Sequence, residues 1–309
     1  MESDELLRVV SQQAGEPVFD TDKFAASLTH ETLTRETDPL RRLILAASIA
    51  GSQTNATIAG HQAAIRRLFP TTPANAITAF CVSEERGPRP RFITTALERN
   101  HEPARISGQK WWGTMAPPAT HLYVAASIGE RDGQNQLRMV SVAGDAPGIT
   151  QIPLPPERQA GGVPICDLRF ESTPVLAVFD EDAYEHYIKP FRLVEDVFST
   201  LAMQIALYRL GAATGLDASG REDLLALIVQ GHAVAHSDMQ HPTEILLLTS
   251  YLRASQSHWQ RLNASWSNAS DALSGHWSVG REILTVAARA REQRRRNAWA
   301  ASGEPLPED

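Results

Sequence analysis

The chain has 309 residues, 42% of them hydrophobic and 21% charged, with a formal net charge of −7. That balance describes a folded protein with room for about two or three domains, and the acidic charge excludes a reader of phosphate backbones, which needs a basic face. The two cysteines, Cys81 and Cys166, are too few and too far apart for a disulfide framework, so a reducing, cytoplasmic setting is expected.

The first sixteen residues are polar and acidic and lack the apolar core of a signal peptide. No apolar run is long enough to span a bilayer, so neither a secretory route nor a membrane span is expected. From there to about Pro70 the pattern is helical. Thr37-Asp38-Pro39 is a start signal, followed by Leu40, Leu43, Ile44 and Ala47 at 3- and 4-residue spacing. The Ala- and Gly-rich stretch from Ala46 to Gly60 is expected to continue as small-residue helix.

Between about Pro73 and Pro190 the period changes to two. Strands are expected over Ile77–Ser83, Phe92–Leu97, Leu122–Ser127, Leu137–Val142 and Cys166–Phe170. Turn clusters separate them, at Glu130-Arg131-Asp132-Gly133, Ala146-Pro147-Gly148 and Gln159-Ala160-Gly161-Gly162. Short strands at this spacing predict an antiparallel sandwich or barrel.

From about Leu193 to Ser302 the helical period returns. Val194, Val197, Phe198, Leu201, Ala202 and Ile205 form one stripe; further helices are expected around Leu224–Ile228, Ile245–Leu252 and Ile283–Trp299. Four such helices predict a bundle. The fold class is therefore α+β: an N-terminal helical domain (1–72), a middle antiparallel β-domain (73–190), a C-terminal four-helix bundle (191–302) and a loose tail (303–309).

Two motifs carry a resemblance. The first is Ala79-Phe80-Cys81-Val82-Ser83-Glu84; the second is Ile106-Ser107-Gly108-Gln109-Lys110-Trp111-Trp112-Gly113-Thr114, followed by Ala119 and the strand Leu122-Tyr123-Val124-Ala125-Ala126. Val140-Ser141-Val142, Pro147-Gly148-Ile149, Leu168-Arg169-Phe170 and Pro174-Val175 follow in order. Over about 100 residues this resembles the middle domain of acyl-CoA dehydrogenases, flavoproteins that oxidise acyl-CoA thioesters to 2,3-enoyl forms. The resemblance implies FAD, with Trp112 and Thr114 packing against and hydrogen-bonding the flavin ring and Ser83 contacting its pyrimidine end. A flat aromatic wall and a hydroxyl donor suit such a ring.

In one branch of that family the base that removes the α-proton lies early in the first bundle helix, and Glu195 falls there. The competing reading makes Glu195 and Asp196 first-turn acids that complement the helix dipole. The Gly-Gly-x-Gly stretch near the base of most members is missing, and Glu84-Glu85-Arg86-Gly87-Pro88-Arg89-Pro90 replaces the family's Glu-Pro with downstream Gly-Ser-Asp. Both helical zones are short. The chain thus resembles a shortened member that works as a homodimer or tetramer on an acyl-CoA substrate. The alternatives are a catalytically incomplete subunit of a heteromeric, steroid-type dehydrogenase, or a flavin-dependent monooxygenase of the same fold.

Two other clusters carry less. His232, His236 and His241 with Asp238 have helix-face spacing, but Ala233 stands where a zinc hydrolase of the His-Glu-x-x-His type needs Glu, so no metal is assigned. Arg289, Arg291, Arg294, Arg295 and Arg296 form a basic run that reads as a solvated helix end or as a reach toward a nucleotide phosphate.

Overall fold

The computed structural model describes residues 2–12, 15–155, 162–211, 216–265, 277 and 288–303. The turn expected at 159–161, the start of the last helix at 283–287 and the tail beyond Gly303 lie outside the described residues. The chain divides into two compact units: Met1–Phe24, Glu36–Ala64 and Leu193–Asp309 form one, and Ala25–Arg35 with Ile65–Arg192 the other.

The helices are α1 (Ser3–Ser11), α2 (Thr21–Ser27), α3 (Glu31–Thr34), α4 (Pro39–Ser48), α5 (Gln53–Leu68), α6 (Lys189–Leu210), α7 (Ala218–Ala235), α8 (Pro242–Ser265) and α9 (Ala288–Ser302). The start of α4 follows its sequence signal: Asp38 accepts a hydrogen bond from the Leu40 N–H at 3.0 Å, and Pro39 takes the first turn, where its missing donor is harmless. The expected continuous helix from Ala46 to Gly60 is instead broken. The Gly51 N–H bonds back to the Val18 carbonyl at 2.9 Å, and the Ser52 hydroxyl accepts from the Asn55 N–H at 3.1 Å, capping α5. A side chain at Gly51 would meet the Val18 carbonyl oxygen at 2.8 Å, so glycine is required by the close approach.

The bundle helices form where the periodicity places them, but α6 begins earlier than the stripe implies. A π-type turn over Tyr184–Ile188 leads into Lys189, with Pro190 in the first turn. After Leu210 the chain restarts at α7, where Asp217 accepts from the Gly220 N–H at 2.7 Å. Tyr251 on α8 lies against Gly231 on α7, and its hydroxyl donates to Gln204 Oε1 on α6 at 2.6 Å.

The β unit holds β1 (Thr78–Cys81), β2 (Ala96–Glu98), β3 (Arg105–Thr114), β4 (His121–Arg131), β5 (Gln134–Ala143), β6 (Ile149–Pro153), β7 (Ile165–Pro174) and β8 (Ala177–Phe179). They form one sheet in the order β6-β7-β3-β2-β4-β5-β8, with β1 also on β4. The pairs β1/β4 and β2/β4 are parallel and the rest antiparallel. Asp132 and Gly133 both take positive φ (54° and 74°), the mirror-image turn that matches strand twist, and close the β4–β5 hairpin. The expected strand at Phe92–Leu97 is only its last part: Pro90–Phe92 is a 3₁₀ turn, since proline cannot donate to a ladder. Ala79, Cys81, Val124, Val140, Leu168 and Phe170 fill the core of the sheet, and both thiols are buried and unbridged. Beside it Phe69 is sandwiched between Tyr123 (ring centroids 3.7 Å apart) and Tyr187 (4.9 Å).

Candidate functional site

The two resembling motifs meet at the ends of β1 and β3. The Ser83 carbonyl accepts the Trp111 N–H at 2.7 Å, so the first motif lies alongside the second. Beneath this contact Lys110 is fully buried, and its Nζ donates to Glu84 Oε1 at 2.7 Å and to the Val82 carbonyl at 3.3 Å. The Glu84 carboxylate also accepts from the backbone N–H and the hydroxyl of both Thr94 (2.8 and 2.6 Å) and Thr95 (3.0 and 2.8 Å). Burial pushes the Glu84 pKa up, but Lys110 and the threonine donors outweigh it and hold the carboxyl below its ordinary value. A buried ion pair satisfied by this many donors locks the two strand ends together.

Trp112 owes its position to a bulge. Lys110 pairs with Leu168 and Gly113 with Cys166, so β3 carries one residue more than β7 in that interval. The extra residue puts Trp112 at φ 61°, a left-handed conformation that costs a non-glycine residue about 1–2 kcal/mol. The buried Asp167 offsets that strain by accepting the Trp112 N–H at 2.9 Å. The indole is thereby turned outward and is 45% exposed. The partly exposed hydroxyls of Ser83 and Thr114 have no hydrogen-bond partner among the described residues. An exposed indole and hydroxyls without partners among the described residues are groups of the kind that a flat heteroaromatic ring with polar edges could use.

Glu195 lies in the helical unit, on α6. It is not a first-turn acid: α6 starts six residues earlier, and the dipole effect fades within the first turn. Its Oε1 is 2.7 Å from Nδ1 of His61 on α5, with His61 buried and the Glu195 side chain 38% exposed. Asp196 faces a different environment. Arg291 Nη2 reaches its Oδ1 at 2.6 Å and Arg294 Nη2 its Oδ2 at 2.5 Å, and its side chain is only 11% exposed. The basic run of α9 therefore includes a two-arginine clamp on a carboxylate, and Arg291 and Arg294 are not the solvated helix end expected from sequence.

His232 and His236 stack edge to face with their Nε2 atoms 3.3 Å apart, and burial together with His236 pulls the His232 pKa down to about 4. Among the described residues no three metal-ligating side chains converge. Sequence reasoning passed over three residues of this architecture: Lys110 and Glu84, which stood inside the quoted motifs without a stated role, and His61. His61 lies 134 residues from Glu195, so no local spacing links them.

No protein-family model matches the chain, and no curated protein matches it. Solved structures do. Butyryl-CoA dehydrogenase from Megasphaera elsdenii superposes over 97% of this chain and 93% of its own with a TM-score of 0.59 at 11% identity. The acyl-CoA dehydrogenase-like fold is shared by this chain. The prolyl acyl carrier protein oxidase AnaB matches 97% of this chain and 93% of its own (TM-score 0.55, 12% identity). KijD3, solved with FMN and a dTDP-linked amino-keto sugar, matches 97% and 86% (TM-score 0.54, 17% identity). Within this fold, then, neighbours are named for an acyl-CoA, for an acyl carrier protein and for a complex with a sugar nucleotide. No helix among the described residues is long and apolar enough to cross a membrane.

Proposed function

We propose that this protein is a flavin-dependent oxidoreductase that oxidises an acyl thioester, with acyl-CoA as the substrate class, between its α and β carbons. Glu195 is the base that takes the α-proton; Ser83, Trp112 and Thr114 hold the flavin, FAD. The cofactor supplies the acceptor for the β-hydrogen and its electron pair. The chain works as an oligomer of itself or beside a partner subunit.

The observation that carries this reading is the contrast between two adjacent carboxylates. Asp196 is neutralised by two arginines and cannot act as a base without breaking two ion pairs. Glu195 keeps one oxygen on an imidazole and remains accessible. Adjacent acids with divided environments are how a fold assigns one carboxylate to structure and the other to chemistry. On the flavin side, support comes from Trp112, held outward at a strained bulge, and from the Ser83 and Thr114 hydroxyls, which have no hydrogen-bond partner among the described residues.

The test is to purify the protein, extract and identify any bound flavin, and screen acyl-CoA substrates. Wild type is expected to carry FAD, with Trp112→Ala losing it. Glu195→Gln should lower kcat by about 10²- to 10⁴-fold, the usual contribution of a positioned base. Unchanged turnover in Glu195→Gln would sink the base assignment. A colourless protein that FAD does not reconstitute would sink the stand-alone enzyme in favour of a subunit completed by a partner chain.

A further inference from the structure

The seam between α5 and α6 is polar where two packed helices are ordinarily apolar. Gln53, Thr57 and His61 recur every four residues along one face of α5, and Glu195, Ser199 and Met203 do the same on α6. The register runs antiparallel: Gln53 Nε2 meets Met203 Sδ at 3.5 Å, Gly60 lies on Ser199, and His61 meets Glu195 at 2.7 Å. Gly60 is what permits it. A Cβ there would fall 2.5 Å from the Ser199 Cα, so the helices approach closely enough for the short His61 side chain to cross the seam.

This seam is costly. Gln53 Oε1, Thr57 Oγ1 and Ser199 Oγ are buried without hydrogen-bond partners among the described residues, and each such atom is destabilising. An apolar seam of the same shape would hold α5 and α6 together better. Asp196, the adjacent acid on α6, is held by Arg291 and Arg294. His61 is the partner that the described contacts give Glu195.

We infer that His61 is a positioning residue for Glu195. Its Nδ1–H donates to Oε1 and fixes the rotamer of the carboxylate. The inference rests on the base assignment proposed above. An ionised carboxylate only accepts hydrogen bonds, so the ring nitrogen facing it must carry the proton.

Two measurements test the inference separately from the activity reading. Imidazole ¹⁵N spectra of the full-length protein, with His61 assigned through His61→Asn, report which ring nitrogen is protonated. Wild type is expected to show His61 in the Nδ1–H form, and Glu195→Ala, shown folded by circular dichroism, to release it. On the flavin-loaded enzyme, His61→Leu is expected to lower kcat by at least 10-fold, leave KM within about 2-fold, and shift the limb of the kcat pH profile that reports Glu195. His61→Asn, which keeps a donor near the Nδ1 position, is expected to recover part of the rate. A ring that ignores Glu195→Ala overturns the pairing. A ring that responds, in an enzyme whose pH profile His61→Leu leaves intact, overturns the positioning role. If Glu195→Gln turns over normally while the ring still responds, the base assignment fails and this inference falls with it, but the pair itself stands.

Discussion

Replacing Lys110 by Met keeps most of the buried aliphatic stem and removes only the charge. In the native protein Lys110 Nζ sits 2.7 Å from Glu84 Oε1 with no exposure to solvent, and Glu84 itself is 7% exposed. Losing one partner of a buried pair typically costs about 3–5 kcal/mol, because the remaining ion has neither water nor counter-charge. Here four donors from Thr94 and Thr95 still hold the carboxylate, so the expected loss lies at the lower end, about 3 kcal/mol. The pH dependence follows from the direction of the Glu84 shift. Its folded pKa is depressed below the ordinary 4.5, so its stabilisation is present above that value and is lost as pH falls through the folded pKa. The gap between wild type and Lys110→Met should therefore be full at pH 7 and narrow on acidification, as Glu84 in the variant takes up a proton. Urea denaturation followed by tryptophan fluorescence at pH 7 and pH 4 measures both. A variant within about 1 kcal/mol of wild type at pH 7, or a gap that widens in acid, would refute the reasoning.

Two further substitutions probe the helical unit. Gly60→Val places atoms into the Ser199 backbone, which cannot rotate away, and is expected to cost about 1–3 kcal/mol in thermal or chemical denaturation; wild-type stability would mean that α5 and α6 are not in such close contact. Tyr251→Phe removes the hydroxyl that donates to Gln204 Oε1 at 2.6 Å and strands a carbonyl on a residue only 1% exposed. The expected loss is about 1–3 kcal/mol, and a change below about 0.5 kcal/mol would show that Gln204 finds another partner.

The fold was legible where one element carries its own signal. Apolar spacing located α4, α6, α7 and α8, Asp38-Pro39 marked the start of α4, and the Glu130-Arg131-Asp132-Gly133 cluster marked a turn, which the positive φ of Asp132 and Gly133 makes a hairpin. The motif around Lys110 to Thr114 pointed to the right stretch of chain, although its bulge could not be read: a bulge is a mismatch with a second strand more than 50 residues away. The break between α4 and α5 escaped for a similar reason, since Gly51 is needed by its contact with Val18 and not by anything in the Ala-rich run itself.

What the sequence by itself determined was the kind and order of the elements, because helix and strand periods report which face of each must be buried. What only the tertiary structure decided was which charged side chains meet. Lys110 has no role readable from the sequence until Glu84 and the threonines enclose it. Asp196 and Glu195 read as a matched pair of acids until α9 delivers two arginines to one, and α5 a histidine to the other, across 95 to 134 residues. Those meetings depend on helix crossing and strand register, and these are set by the packing of many apolar side chains at once rather than by any local pattern.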